Sequence, residues 1–110
     1  MKLIITGACG HIGSYLAHNI HRINKVKEII LIDNFHSNRY LSLFNLKKKT
    51  KTSFFKIDVD EIGSLNRFSG VNLLIHCASY TNAENSFSIK KSMYKNNINC
   101  MKNVIKFCIL

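Results

Sequence analysis

The sequence predicts an α/β fold in which helices cover both faces of a parallel sheet of about four strands. Short apolar runs without polar alternation recur along the 110 residues, as is typical of strands that are buried on both sides. Stretches with apolar residues at helical spacing separate these runs. Because parallel neighbours need a crossover connection, repeated strand–helix units favour a sheet sandwiched between helices.

Four apolar runs are the predicted strands. They cover 3–5, 29–32, 54–57 and 71–75. All four are short and rich in Ile, Leu, Val or Phe, which suits strands in the interior of a parallel sheet.

Helices are predicted between and after these strands. The second is expected over 38–46, and the third over 61–68 with Asp58 or Asp60 as its N-cap. The first helix carries an apolar stripe of Ile12, Tyr15, Leu16, Ile20 and Ile23. The fourth runs from about residue 86 to the end of the chain, and its residues at helical spacing are Met93, Asn97, Met101, Val104, Ile105 and Cys108.

Composition argues against several classes of function. The net charge is +10, but Lys supplies 13 of the 16 cations, whereas phosphate and base recognition usually draws on Arg. The basic run 47–51 is typical of a solvated loop. We therefore expect no nucleic-acid partner. No apolar stretch has the length of a transmembrane helix, so we expect no membrane partner either.

The cysteines and histidines predict neither disulfides nor a metal site. The four cysteines contain no C-x-x-C pair, which favours reduced thiols in a cytoplasmic protein. Cys9 lies in a glycine-rich turn and is expected to fill space rather than to act as a nucleophile. His18 and His21 lie a helical turn apart, but no carboxylate or cysteine completes a ligand set. We predict that both are surface histidines.

The strongest functional signal is Thr6-Gly7-Ala8-Cys9-Gly10-His11-Ile12-Gly13, between the first strand and the first helix. Gly7 permits a tight turn, Gly10 lets backbone N–H groups approach a pyrophosphate, and Gly13 lets the helix pack close to the strand. The helix N-terminus can then hold phosphates without a cationic side chain. This arrangement predicts a dinucleotide-binding Rossmann fold.

Asp33 completes this signal. It follows the second strand, twenty residues after Gly13. A carboxylate at that place accepts hydrogen bonds from the adenosine ribose and repels a 2′-phosphate. The predicted cofactor is therefore NAD rather than NADP.

These motifs resemble a known family. The G-x-x-G-x-x-G spacing is similar to that of the extended short-chain dehydrogenases/reductases, specifically the NAD-dependent nucleotide-sugar epimerases and dehydratases. The resemblance extends along the whole chain. Asp33-Asn34-Phe35 looks like the family's Asp-Asn-Leu/Phe, and Asp58-Val59 like its Asp-Ile/Val. His76-Cys77-Ala78-Ser79 resembles His-x-Ala-Ala/Gly, and 93–99 resembles the Tyr-x-x-Asn-Asn-Val helix of the UDP-galactose 4-epimerase group.

The resemblance implies a set of cofactor contacts. The Asp58 carboxylate would meet the adenine amino group and the Val59 N–H a ring nitrogen, although Asp58 is equally suited to capping a helix. Asn97 would lie near the nicotinamide, or would join its helix to a neighbouring strand. The expected cofactor-binding residues are Gly7, Gly10, His11, Ile12, Gly13, Asp33, Asn34, Asp58, Val59, Cys77, Ala78, Ser79 and Asn97.

The chain also departs from the family pattern. Cys100-Met101 replaces Gly-Thr, and Lys90 stands where Pro is common. The family's catalytic Tyr is followed four positions later by a Lys, which helps to lower the pKa of the Tyr. Here the four tyrosines and the residues at that spacing are Tyr15 with Asn19, Tyr40 with Phe44, Tyr80 with Glu84, and Tyr94 with Ile98.

The resemblance therefore implies that 1–110 is the N-terminal part of an NAD-binding Rossmann domain, with strand order 3-2-1-4. We expect a truncated chain that binds NAD(H), lacks activity alone, and meets a nucleotide-sugar only when completed by a C-terminal remainder. Its fourth strand would be an exposed edge, so a complementing chain or a homo-oligomer is expected. The alternative is a stand-alone nucleotide-binding or regulatory module without catalysis.

Overall fold

The protein is an α/β sandwich. The structure is a computed structural model that describes residues 1–36, 38–46, 49–79 and 90–109. Its four strands form one parallel sheet in the order β3-β2-β1-β4, which confirms the predicted fold class and strand order. The strands are β1 (Lys2–Thr6), β2 (Glu28–Asp33), β3 (Lys51–Lys56) and β4 (Leu73–His76).

In the part of the chain that the structure describes, two α-helices accompany the sheet. Helix α1 (His11–Asn19) continues into a 3₁₀ turn at Ile20–Arg22, and helix α2 is Lys90–Ile109. The long final helix is thus confirmed, although the expected start at 86–89 lies outside the described residues. None of the described helices is long and apolar enough to cross a membrane.

The two helices pack on opposite faces of the sheet. Leu3 and Ile5 of β1 belong to a cluster with Ala17 of α1. Ile4, which points the other way, belongs to a second cluster with Cys100 and Val104 of α2. The alternation of side chains along β1 therefore gives the sheet two buried faces, as the uninterrupted apolar runs predict.

The predicted helix over 38–46 is wrong. Its place is taken by a single 3₁₀ turn, Tyr40–Leu43. Asn38 and Asn45 have φ angles of 55° and 61°, and this left-handed conformation ends right-handed helical structure on both sides. The Ser42 hydroxyl also bonds the carbonyls of Arg39 and Cys9, as polar side chains do when they compete with helical bonds.

The predicted helix over 61–68 is also wrong. This segment consists of successive turns in which each bond joins residues three apart, from Glu61 N to Asp58 O through to Phe68 N to Leu65 O. Gly63 has a φ of +73°, which interrupts a regular helix.

The faces of α1 and α2 that are buried also differ in part from the prediction. Leu16 and Ile20 of the predicted stripe do pack against the first cluster. The buried residues of α1 are, however, the small Gly13, Ser14 and Ala17, whereas Ile12 and Tyr15 are 70% and 69% exposed. The close approach of α1 to the backbone of Gly7 and Ala8 at Gly13 leaves room only for small side chains there. In α2 the buried residues include Cys100 and Val104, and three members of the expected face are exposed, namely Met101, Ile105 and Cys108.

Candidate functional site

A cleft of about 650 Å³ lies where the carboxyl ends of β1, β2 and β4 and the loop after β3 meet α1 and α2. Ligands of open α/β sheets bind at this edge, next to the point where the strand order reverses. Twelve of the thirteen predicted site residues line the cleft. They are Gly7, Gly10, His11, Ile12, Gly13, Asp33, Asn34, Asp58, Val59, Cys77, Ala78 and Ser79.

Two glycines allow the backbone to pack tightly beneath this cleft. Gly7 has a φ of +69°, and a Cβ there would lie 2.6 Å from the Ala78 nitrogen and the Cys77 carbonyl. A Cβ on Gly13 would collide with the Gly7 carbonyl. The glycine-rich turn is therefore closed on one side by the loop after β4 and on the other by α1.

The N-terminus of α1 faces the cleft through Gly10, His11, Ile12 and Gly13. Gly10 is the N-cap, and the first turn contains neither a capping side chain nor an acidic residue. Backbone N–H groups that open a helix have no intrahelical acceptors and carry the positive end of the helix dipole. This end of the cleft is therefore suited to a phosphate group.

The carboxylate of Asp33 is held by two backbone bonds. The Cys9 N–H donates to Oδ2 over 2.9 Å, and the Phe35 N–H donates to Oδ1 over 2.8 Å. Each carboxylate oxygen can accept a further bond, so Asp33 can still receive a hydroxyl hydrogen from a ligand in the cleft. The bond from Cys9 also ties the end of β2 to the glycine-rich turn.

Asp58 combines a local structural bond with a place on the cleft wall. Its Oδ1 accepts the Asp60 N–H over 3.1 Å. This bond resembles the expected capping bond, but it closes a turn, because no helix follows. Oδ2 is left to accept from a ligand. The neighbouring Ile57 N–H donates to the Asp33 carbonyl over 3.1 Å, which joins the loops that follow β2 and β3.

The loop after β4 is attached to the end of β1. The Ala78 N–H donates to the Thr6 hydroxyl over 3.3 Å, and that hydroxyl lies 2.7 Å from Nδ1 of His76. Burial lowers the pKa of His76, which favours the neutral imidazole. This network fixes Cys77 and Ala78 above Gly7.

The buried cysteines are poor nucleophiles. Burial, and then the negative charge of Asp33, raise the pKa of Cys9 to about 11. Burial likewise raises the pKa of Cys100 to about 11, with a further contribution from the Asp60 and Asp58 carboxylates. Thiols in this state are protonated at neutral pH, which agrees with the space-filling role predicted for Cys9. All four cysteines are unpaired.

Asn97 is the predicted residue that the structure does not bring into the cleft. It is half-buried and has interactions of its own, but α2 contributes Ser92, Asn96 and Cys100 to the lining. Its expected role near a nicotinamide remains a prediction.

Three polar residues have interactions that were not anticipated from the sequence. Arg39 lines the cleft, and its Nε donates to the Cys9 carbonyl over 3.4 Å. His18 is not a simple surface histidine, since its Nε2 lies 2.7 Å from the Ser42 carbonyl. Asn103 is buried against the loop after β3. Asn38 and Asn45, whose left-handed backbone conformations shape the loop that carries Arg39 and Ser42, cannot be distinguished from other asparagines by a sequence pattern.

Within the described residues, no three His, Cys, Asp or Glu side chains converge as a metal site would require. The polar groups that line the cleft include backbone N–H groups, the carboxylates of Asp33 and Asp58 and the guanidinium of Arg39. These groups act on a bound ligand through hydrogen bonds and charge.

Comparison with known proteins identifies the family. The model of the 3-beta hydroxysteroid dehydrogenase/isomerase family matches residues 4–110. The chain belongs to this family. Among curated relatives of this family member, a dTDP-D-glucose 4,6-dehydratase of Dictyostelium discoideum is 30% identical over 101 residues, covering 88% of the chain and 23% of the relative. A UDP-glucose 4-epimerase of Schizosaccharomyces pombe is 28% identical over 109 residues, covering 94% and 30%. These relatives confirm the resemblance to nucleotide-sugar epimerases and dehydratases.

Solved structures show the same fold. A UDP-galactose 4-epimerase superposes with a TM-score of 0.78 at 19% identity, covering 97% of this chain and 34% of the other. The dTDP-glucose 4,6-dehydratase DesIV from Streptomyces venezuelae, solved with NAD and TYD bound, gives 0.78 at 19%, covering 96% and 35%. The family member described here thus spans about a quarter to a third of the length of these proteins.

Proposed function

We propose that this chain is the NAD-binding N-terminal part of a nucleotide-sugar epimerase or dehydratase, with 1–110 forming part of a Rossmann domain. The observation that carries the proposal is the convergence of the α1 N-terminus, Asp33 and the loop 58–59 on one cleft. A dinucleotide needs a phosphate site flanked by a ribose acceptor and an adenine site, and the presence of these groups in one cleft supports the proposal.

Each part of NAD has a proposed place. The pyrophosphate lies against the N–H groups at the start of α1, and the adenosine ribose donates to Asp33. The adenine amino group donates to Asp58 and a ring nitrogen accepts the Val59 N–H. The nicotinamide extends toward Ala78, Ser79 and the face of α2. When bound, NAD would supply hydride chemistry to a sugar.

We propose that the chain does not catalyse the reaction alone. None of its four tyrosines is followed four residues later by Lys, and that pair carries out proton transfer in the enzymes it resembles. The relatives are three to four times as long as this chain. This length supports the proposal that the acid/base residues and the nucleotide-sugar site lie outside these 110 residues.

Two exposed surfaces favour a complementing chain or a homo-oligomer. β4 is at the edge of the described sheet, and its Leu73 is 42% exposed. Helix α2 presents Tyr94, Met101 and Ile105 to solvent. Unpaired strand edges and apolar patches of this kind favour association with further polypeptide.

A reducing, cytoplasmic location accords with the four unpaired cysteines.

A stand-alone nucleotide-binding module is the second candidate. It is favoured by the completeness of the adenosine half of the cleft, in which Asp33, Asp58 and the α1 N-terminus are all present. The two candidates differ in whether a polypeptide carrying Tyr-x-x-x-Lys binds this chain and restores turnover of a nucleotide-sugar.

Calorimetric titration of the purified chain with NAD and with ADP tests the cofactor site. We expect both ligands to bind, and we expect Gly10→Val and Asp33→Ala to abolish or strongly weaken binding. Glu28→Ala is the matched control, because it removes a carboxylate from the other end of β2. A folded parent that binds neither ligand would contradict the proposal.

A further inference from the structure

Asn103 joins α2 to the loop that follows β3. Its side-chain amide donates to three successive backbone carbonyls, those of Val59 at 2.7 Å, Asp60 at 3.0 Å and Glu61 at 3.1 Å. The residue is only 8% exposed.

The geometry of these bonds makes the amide difficult to replace. An amide nitrogen carries two hydrogens, so the three carbonyl oxygens share them. Without the donor, three partial negative charges would face one another in a place that is buried at Val59 and partly buried at Asp60 and Glu61. Carbonyls that lose their partners in such a place are unfavourable. Asn103 therefore stabilises one particular course of the backbone from 59 to 61.

The same backbone segment carries part of the cleft wall. Asp58 and Val59 line the cleft, and Asp58 is tied to the loop by the Asp60 N–H on Oδ1 and the Glu61 N–H on its carbonyl. The position of the Asp58 carboxylate and of the Val59 N–H thus depends on residues whose carbonyls Asn103 holds.

We propose that Asn103 is a positioning residue for recognition of the adenine ring, acting through Asp58 and Val59 without touching the ligand. The proposal rests on the NAD site described above. It assigns to α2 a role in base selection in addition to its packing on the sheet.

Adenine and hypoxanthine differ at the two positions that this loop faces. Adenine offers an amino donor and a ring-nitrogen acceptor, which match the Asp58 carboxylate and the Val59 N–H. Hypoxanthine offers a carbonyl and a ring N–H, so both contacts become unfavourable. A correctly placed loop therefore prefers ADP to IDP, whereas a displaced loop loses this preference but leaves the phosphate site in place.

Titration calorimetry with ADP and IDP measures this preference. We expect the parent to bind ADP at least about tenfold more tightly than IDP, the size expected for a hydrogen bond that becomes a mismatch. Asn103→Leu keeps the branching and the number of heavy atoms of the side chain but lacks the donor, and its preference should fall to within about twofold. Val104→Ala is the control, because Val104 packs with Val59 in the second cluster. Its truncation weakens the packing of α2 on the loop while the three Asn103 bonds remain.

The possible outcomes distinguish the positioning role of Asn103 from the proposed adenosine site on which it rests. A reduced ADP preference in Asn103→Leu, together with a parent-like preference in Val104→Ala, supports the positioning role. Asn103→Ala, which also lacks the donor, provides the same measurement if the leucine variant does not fold. A folded variant that keeps the parent preference would overturn the positioning role. A parent that binds neither nucleotide, or binds both equally, would instead overturn the proposed adenosine site.

Discussion

The backbone N–H of Cys9 donates to Asp33 Oδ2 over 2.9 Å, so the glycine-rich turn and the end of β2 are joined through a single carboxylate. The second oxygen accepts the Phe35 N–H. The carboxylate is therefore oriented before a ligand enters, which lowers the entropic cost of binding.

Asp33 and Arg39 are expected to set the choice between NAD and NADP. Both line the cleft. In Asp33→Ser the carboxylate that repels a 2′-phosphate is gone, whereas the Arg39 guanidinium remains to attract it. We expect the ratio of NADP to NAD affinity, measured by calorimetry, to rise by about tenfold, equivalent to about 1.4 kcal/mol.

The double variant Asp33→Ser with Arg39→Leu is the control for that experiment. It should lose the gain in NADP affinity while keeping the loss of NAD affinity. Equal NADP binding by the single and double variants would contradict the role of Arg39. Because Asp33 holds two backbone N–H groups, both variants should also be less stable by about 1–3 kcal/mol.

Gly13→Ala is expected to disrupt the turn and the packing of α1. The added Cβ would meet the backbone of Gly7 and Ala8, which cannot move as a flexible side chain would. We expect the free energy of unfolding to fall by about 3 kcal/mol and NAD binding to be lost. Gly70→Ala is the control, because a Cβ there meets nothing within 4 Å and only its φ of +67° is unfavourable. Equal unfolding midpoints for the two variants in urea would refute this account.

Thr6→Val tests the bond between β1 and the loop after β4. The variant keeps the shape of the side chain but removes the acceptor of the Ala78 N–H and the partner of His76. We expect a loss of stability of about 1–3 kcal/mol, the cost of leaving a buried N–H unpaired. Thr6→Ser retains the hydroxyl and should lose less. If the serine variant unfolds as early as the valine variant, packing of the methyl group matters more than the bond.

The cysteines should react in an order set by exposure and pKa. Cys108 is exposed, whereas Cys9 and Cys100 are buried with pKa values of about 11. Iodoacetamide reacts with thiolates, so at pH 8 it should label Cys108 first and leave the buried pair unmodified until the chain unfolds. Mass spectrometry of the parent and of Cys108→Ser checks this order. Early labelling of Cys9 in the native chain would contradict its burial.

The same pKa values predict how stability changes at alkaline pH. The folded chain keeps Cys9 and Cys100 protonated up to about 11, whereas in the unfolded chain they titrate near the ordinary value of 9.0. The unfolded state therefore releases protons first, and the fold loses stability as pH rises from about 9 to about 11. Urea unfolding of Cys100→Ala across this range should show a smaller loss than the parent.

The sheet and the glycine-rich turn could be predicted because their signals are local. The apolar runs of β1 and β2 require burial on both faces, and the spacing of Gly7, Gly10 and Gly13 matches a backbone geometry that the structure contains. The spacing between Asp33 and the turn then predicted which residues form one end of the cleft. Each of these features depends on residues close in sequence.

The remaining features depend on tertiary contacts. Asn38 and Asn45 adopt left-handed backbone conformations that the apolar pattern of 38–46 does not reveal. Asn103 is one of four asparagines in α2, and only its distance from the loop after β3 distinguishes it. The buried face of α1 was predicted only in part: Leu16 and Ile20 pack against the core, but close packing at Gly13 favours small side chains over Ile12 and Tyr15.

The strand order also has a consequence for how the chain acquires its structure. β1 is synthesised before β2, β3 and β4 and lies inside the sheet, yet one of its partners is β4, with Leu3 opposite Leu73. This pairing must wait until some seventy further residues have left the ribosome, and contacts between residues so distant in sequence form slowly. Until then one side of β1 has no strand beside it. We therefore expect nascent chains to depend on chaperones until β4 has docked.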